Sequence, residues 1–140
     1  IDLMLALDHP GILRLHETFE DRKTVCLVLE LCRGPSLQQA LVTRGEGLPE
    51  DEAVLLMKQL LECVRYLHEN LVCHRDIKPE NLLFGEPFPE EERFPATGMK
   101  LADFGLACRF PRPAVGPGSV SPALRHRELP LTEKVGRPAF

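Results

Sequence analysis

The sequence predicts an α+β fold, and three observations carry that reading. Residues 12–31 hold two apolar runs around the polar stretch Glu20-Asp21-Arg22-Lys23, which is the pattern of a β-hairpin. Residues 50–69 place apolar side chains at positions 53, 56, 57, 60, 61, 64 and 67, the i, i+3, i+4 stripe of a core-facing helix. Leu82-Leu83-Phe84 and Met99-Lys100-Leu101-Ala102 then read as two short strands. At 140 residues with 44% hydrophobic content, one domain with its own core is expected.

The elements follow in order. Residues 1–7 carry Ile1, Met4 and Leu5 at helical spacing, and Asp8-His9-Pro10-Gly11 ends that helix. Residues 12–19 form the first strand, with Leu13, Leu15 and Phe19 apolar, and residues 24–31 a second, largely buried one. After the breaker Arg33-Gly34-Pro35, Ser36 is placed to cap a short helix running to about Arg44, closed by Gly45-Glu46-Gly47. Pro49 fits a first helical position, and Glu50, Asp51 and Glu52 suit the positive end of the 50–69 helix dipole. Between the last two strands, residues 85–98 carry three prolines and Glu86, Glu90, Glu91 and Glu92, an acidic surface insertion. From Cys108 the composition turns proline-rich and basic, so residues 108–140 are expected to be a flexible tail.

Composition narrows the function. A formal net charge of −4 argues against nucleic acid as a main partner. No apolar run approaches the ~18 residues of a membrane span, so no membrane partner is expected. The N-terminus has no basic region of a signal peptide and no initiating Met, and it reads as part of something longer. Cys26, Cys32, Cys63, Cys73 and Cys108 show no C-x-x-C spacing. Their odd number and mostly apolar settings fit free thiols in a reducing cytoplasmic or nuclear compartment.

The chemistry lies in His74-Arg75-Asp76-Ile77-Lys78-Pro79-Glu80-Asn81 and in Asp103-Phe104-Gly105, which follows 22 residues after Asn81. Each residue alone reads as an ordinary turn or core residue. Together they are the types that phosphoryl transfer needs, where a protein must position a nucleophile, hold metal ions and neutralise charge. Asp76 can orient a substrate hydroxyl, and Lys78 can reach a γ-phosphate. Asn81 offers a neutral oxygen to a hard cation, and Asp103 a carboxylate to bridge metal and phosphates.

These motifs resemble the catalytic and metal loops of eukaryotic protein kinases. The resemblance runs through residues 1–107 and looks closest to the calcium/calmodulin-dependent branch. It implies a partial protein kinase-like fold: 1–32 a remnant of the small lobe and hinge, 33–107 the start of the large lobe, and 108–140 an activation segment. It implies ATP and Mg²⁺ as cofactors and a protein substrate, phosphorylated on Ser or Thr because Lys78 stands in a K-P-E-N run. Asp76, Lys78 and Asn81 would be catalytic, with Asn81 and Asp103 holding metal. Leu29, as gatekeeper, with Glu30, Cys32, Leu83 and Asp103, would bind the nucleotide. His74 and Phe104 would join Met4 and Leu15 in an apolar column. Arg75 would meet an activation-segment phosphate, for which Ser119, Ser121 and Thr132 are candidates. Glu80 would contact a substrate arginine, and a solvated turn glutamate is its plain alternative.

The chain departs from the family in several places. It has no glycine-rich phosphate loop and no β3 lysine, and the helix glutamate that pairs with that lysine would fall one residue before Ile1. Ser36 stands where relatives often carry an acidic ribose contact. Val135-Gly136-Arg137-Pro138-Ala139-Phe140 resembles the approach to the A-P-E motif, with Arg137 where relatives have Thr or Ser. The isolated chain is therefore expected to be inactive, the parent kinase being the enzyme. A non-catalytic kinase-like scaffold or decoy is the alternative, and a small-molecule phosphotransferase fits the D-F-G run less well. Nothing in the sequence specifies calcium or calmodulin dependence.

Overall fold

Asp21 starts the hairpin turn. Its Oδ1 accepts hydrogen bonds from the amides of Lys23 at 2.7 Å and Thr24 at 2.9 Å, holding the chain in an Asx-type turn. In this computed structural model, which describes residues 1–45, 47–89 and 92–111, the turn joins β1 (Leu15–Glu20) to β2 (Val25–Leu29). The strands pair antiparallel from Glu20↔Val25 to Leu15↔Leu29, with an irregularity between Leu15 and Glu17. A short helix α1 (Asp2–Leu5) precedes them and is less than the seven residues expected. The expected burial of the second strand does not hold: Val25 is 48% exposed and Leu29 38%. The hairpin is a two-stranded sheet, and no third strand pairs with either edge among the described residues.

Helix α2 (Leu37–Arg44) begins where the sequence places it. Ser36 Oγ accepts from the Gln39 amide and Gln39 Oε1 accepts from the Ser36 amide, a complete capping box. Gly45 closes the helix at φ +67°, a left-handed conformation that favours glycine. Helix α3 (Glu50–Glu69) is 20 residues long, with Pro49 as its cap rather than its first residue. Its buried face is Glu52, Leu56, Cys63 and Leu67. Met57 and Leu61, expected in the core stripe, are 49% and 57% exposed. At ~100° per residue they lie about 100° and 140° around the helix from Leu56, too far for the face that is covered.

β4 (Leu82–Phe84) and β5 (Met99–Leu101) pair antiparallel, Leu82↔Leu101 through Phe84↔Met99. β5 also fastens the N-terminal segment. The Leu101 amide donates to Gly11 O, the Leu13 amide donates to Leu101 O, and Lys100 Nζ reaches Pro10 O. Gly11 is required there, since an added Cβ would collide with Cys63 Sγ, whose thiol donates to the Gly11 carbonyl.

The insertion between β4 and β5 is not simply a surface loop. Phe84, Phe88 and Phe94 form an aromatic cluster with ring centroids 4.8 to 5.8 Å apart, and Phe84 is fully buried. Gln59 on α3 ties down its C-terminal end, donating to Pro95 O and accepting from the Met99 amide. The four glutamates dominated the reading of this stretch, yet its two phenylalanines fix where it goes. Glu90 and Glu91 lie outside the described residues.

The tail boundary also shifts. β3 (Val72–Cys73) pairs with β6 (Cys108–Arg109), so ordered structure continues past the composition change at Cys108. The expectations for residues 112–140, including Ser119, Ser121, Thr132 and Arg137, lie outside the described residues. Among the described residues no helix is long and apolar enough to cross a membrane.

Candidate active site

The signature residues occupy the loop from β3 to β4, which ends in a 3₁₀ turn over Pro79–Asn81. His74 is its buried anchor, 2% exposed. The Asp76 amide donates to Nδ1 at 3.3 Å, which assigns the imidazole proton to Nε2, and Nε2 donates to Ala102 O at 2.9 Å. The imidazole meets the Phe104 ring edge-on, with centroids 4.7 Å apart. One neutral histidine thus holds the loop of residues 74–81 against the segment carrying Asp103.

Asp76, Lys78 and Asn81 come together as expected. Lys78 Nζ lies 2.7 Å from Asp76 Oδ2. Asn81 Nδ2 donates to the same Oδ2 at 3.0 Å and to Asp76 O at 2.9 Å. The Lys78 bond holds the Asp76 carboxyl below its usual range, with the Asn81 amide adding to the effect, and the same contact raises the lysine. Both groups stay charged near neutral pH.

Asp103 is brought beside this cluster through the backbone, because the Ala102 amide donates to Asn81 O at 2.8 Å. Asp103 is exposed, sits at φ +60°, and accepts the Gly105 amide on Oδ1. Arg75 is also left-handed, at φ +67°, and its Nε donates to Leu106 O at 2.6 Å. Such backbone costs about 1–3 kcal/mol per residue and clusters at functional sites.

The donor chemistry fits magnesium. The Asn81 amide nitrogen is committed to Asp76, which leaves Oδ1 as the oxygen it would offer a cation, and Asp103 would supply a carboxylate. One neutral and one anionic oxygen, with water and phosphate completing the shell, is the sparse protein set that Mg²⁺ accepts.

Leu29, Glu30, Cys32 and Leu83 border the strip that joins the hairpin to α2. Ser36 bridges to Leu83, and the amides of Arg33 and Gly34 donate to Gly85 O and Phe84 O. Burial raises the Glu30 carboxyl, but bonds from Lys100 Nζ and the Arg14 amide outweigh it and hold the group low. Burial and the Glu30 charge push the Cys32 thiol up. A cavity of about 220 Å³ lies elsewhere, between α2 and the insertion beside Phe88 and Phe94.

A protein kinase domain model matches residues 1–122. The chain belongs to the protein kinase family. Over 110 residues it is 42% identical to calcium-dependent protein kinase 3 of Plasmodium yoelii yoelii, covering 79% of this chain and 19% of that protein. Over 107 residues it is 45% identical to human calcium/calmodulin-dependent protein kinase type IV, covering 76% and 21%. A probable myosin light chain kinase of Dictyostelium discoideum is 40% identical over 116 residues, covering 83% and 22%. The chain thus spans about a fifth of the length of these curated relatives. The α+β reading and the likeness to calcium-linked kinases both hold.

Two features of the structure escaped the sequence reading. Lys100 connects Glu30 to the segment at Pro10, and its place directly after Met99 in an apolar strand was the available signal. Arg44, half-buried, and Glu52, buried, form an ion pair at 2.6 Å beneath the insertion. Only the caps around them were legible.

His74 gives a pH prediction. Burial lowers its pKa below 6.5, and the nearby Asp103 and Asp76 charges and the Ala102 contact only partly offset this. The unfolded chain then binds this proton more readily, so stability is full above pH ~6.5 and falls as pH drops from there toward the folded pKa. Thermal melts should show a larger loss between pH 7.5 and 5.5 for the native chain than for His74→Phe. Parallel curves would place the titration elsewhere.

Proposed function

We propose that the protein carrying these residues transfers the γ-phosphate of ATP to serine or threonine hydroxyls of protein substrates. The observation that carries this is the hydrogen-bonded cluster of Asp76, Lys78 and Asn81, with Asp103 held alongside by the Ala102–Asn81 backbone bond. Ionised Asp76 accepts a hydrogen bond from the incoming hydroxyl, aligns it and takes its proton as the bond to phosphorus forms. Lys78, kept charged by Asp76, neutralises phosphate oxygens. Asn81 and Asp103 hold Mg²⁺, which when bound supplies positive charge to the phosphates. The backbone of Glu30 and Cys32, with Leu29 and Leu83, forms the adenine site in this reading. Serine/threonine preference is supported by the K-P-E-N run and by the relatives' names.

The 140 residues alone are proposed to be inactive, because neither a glycine-rich phosphate loop nor its partner lysine occurs among them. The protein is proposed to work in the cytoplasm or nucleus, a reading supported by five free cysteines. The test grafts residues 1–111 into the matching stretch of calcium/calmodulin-dependent protein kinase type IV. Transfer from γ-labelled ATP is then measured to peptides with a single Ser, Thr or Tyr. Label on Ser and Thr is expected. Label on Tyr alone, or on none from a chimera that melts cooperatively, would sink the reading.

A further inference from the structure

Two of the five cysteines face each other across a strand ladder. Cys73 ends β3, Cys108 begins β6, and the antiparallel register pairs them directly. The Phe110 amide donates to Leu71 O at 2.7 Å, which makes Leu71 and Phe110 a hydrogen-bonded pair. Pair types alternate along an antiparallel ladder, so Cys73 and Cys108, two residues further, are also a hydrogen-bonded pair with Cα atoms about 5.5 Å apart. That separation is the one most disulfides adopt. Directly opposed side chains stand on the same face of the ladder, with Cβ atoms about 4.5–5.5 Å apart. A hydrogen-bonded pair sits at the wide end of that range, and a disulfide needs about 3.5–4.5 Å, so a closure of about 1–2 Å is required. The pair lies at the end of a two-residue ladder, and both cysteines are half-buried.

We propose that Cys73 and Cys108 form an intramolecular thiol–disulfide pair, a modification site for low-molecular-weight disulfides such as oxidised glutathione. It goes beyond the kinase reading and does not depend on it. One cysteine thiolate attacks a glutathione sulfur, breaking the S–S bond and releasing one glutathione thiolate. The second cysteine thiolate attacks the protein sulfur of this mixed disulfide and releases the other. The two protein thiols are oxidised by two electrons, one oxidised glutathione is reduced, and the two thiol protons end on the two glutathiones. The resulting bond ties the strand entering the catalytic loop to the strand leaving Asp103.

The other cysteines serve as internal controls. Cys63 is 2% exposed, donates to Gly11 O, and has its thiol pushed up to about 11 by burial. Cys26 faces Phe19 in the hairpin, and Cys32 lies beyond β2, so neither opposes a cysteine across a ladder.

The 140-residue chain is incubated with oxidised glutathione, in buffer and in urea. Remaining thiols are alkylated and the digest is read by mass spectrometry. In buffer, the intact protein should lose two hydrogen masses, and Cys73 and Cys108 should lose labelling together and appear as one linked peptide pair. Reductant should reverse the change. In Cys73→Ser, Cys108 should stop as the glutathione mixed disulfide. Full alkylation of both cysteines in buffer would overturn the proposal, as would arrest of native Cys108 at the mixed disulfide. So would the same spread of cysteine pairings in buffer as in urea.

Discussion

Changing Asp76 to Asn in the chimeric kinase is expected to lower kcat by about 10²–10⁴-fold, the range that a positioned acid–base group contributes. The KM for ATP should move little. The structure separates the chemical loss from a folding defect. Asn81 Nδ2 is bonded to the main-chain oxygen of Asp76 as well as to Oδ2, so the loop keeps that tie when the carboxylate becomes an amide. The Asp76 amide bond to His74 is also untouched. What disappears is the negative charge that holds Lys78 Nζ at 2.7 Å and is proposed to accept the hydroxyl proton. Single-turnover transfer to a Ser peptide, run beside a thermal melt, checks both halves. Undiminished transfer would remove Asp76 from the chemistry. A collapsed melting temperature would mean that the carboxylate serves the fold instead.

The two signature loops were legible because their residue types are dictated by chemistry rather than by neighbours. His74 to Asn81 and Asp103 to Gly105 can be read in order along the chain, and the structure gathers Asp76, Lys78 and Asn81 as that order implies. Helix α2 was legible for a local reason. The Ser36–Gln39 capping box and Gly45 act within one turn of backbone. Exposure was the weak point, because it depends on what lies opposite. The periodicity of α3 names Met57 and Leu61 as apolar but cannot say that nothing among the described residues covers them. The same applies to Val25 and Leu29 in the hairpin. The insertion was misjudged by its charge: Phe94, 4% exposed, packs under Arg44, a contact between residues 50 positions apart. The Cys73–Cys108 pairing depends on a strand register that no local pattern announces.

Replacing Glu52 with Ala should destabilise the chain by about 3 kcal/mol, the lower end of the cost of stripping one partner from a buried ion pair. Glu52 is 3% exposed. Both its oxygens are used, Oε2 by Arg44 Nη1 at 2.6 Å and Oε1 by Nη2 at 3.3 Å, and the Phe94 amide leans on Oε2. The hydrogen bonds from Arg44 hold its carboxyl below the usual range despite burial, so the group is ionised near neutral pH. The alanine variant leaves a guanidinium against the Phe94 ring without its carboxylate. The Arg44 side chain keeps 19% of its surface and its bond to Glu92 O, which argues for the lower end of the range. A domain of this size has roughly 5–15 kcal/mol in all. At about 3–4 °C per kcal/mol for a chain of this length, the melting temperature should fall by roughly 10 °C. Glu52→Gln should cost less, since it keeps an acceptor for Arg44 and loses only the charge-assisted part, about 1–2 kcal/mol. The double change Arg44→Met with Glu52→Leu decides the cause. If the penalty is the stranded charge, removing both partners should recover most of the loss, because two apolar side chains fill the site beside Phe94 without an uncompensated ion. A double variant as unstable as Glu52→Ala would instead show that the pair's own attraction holds the insertion against α3.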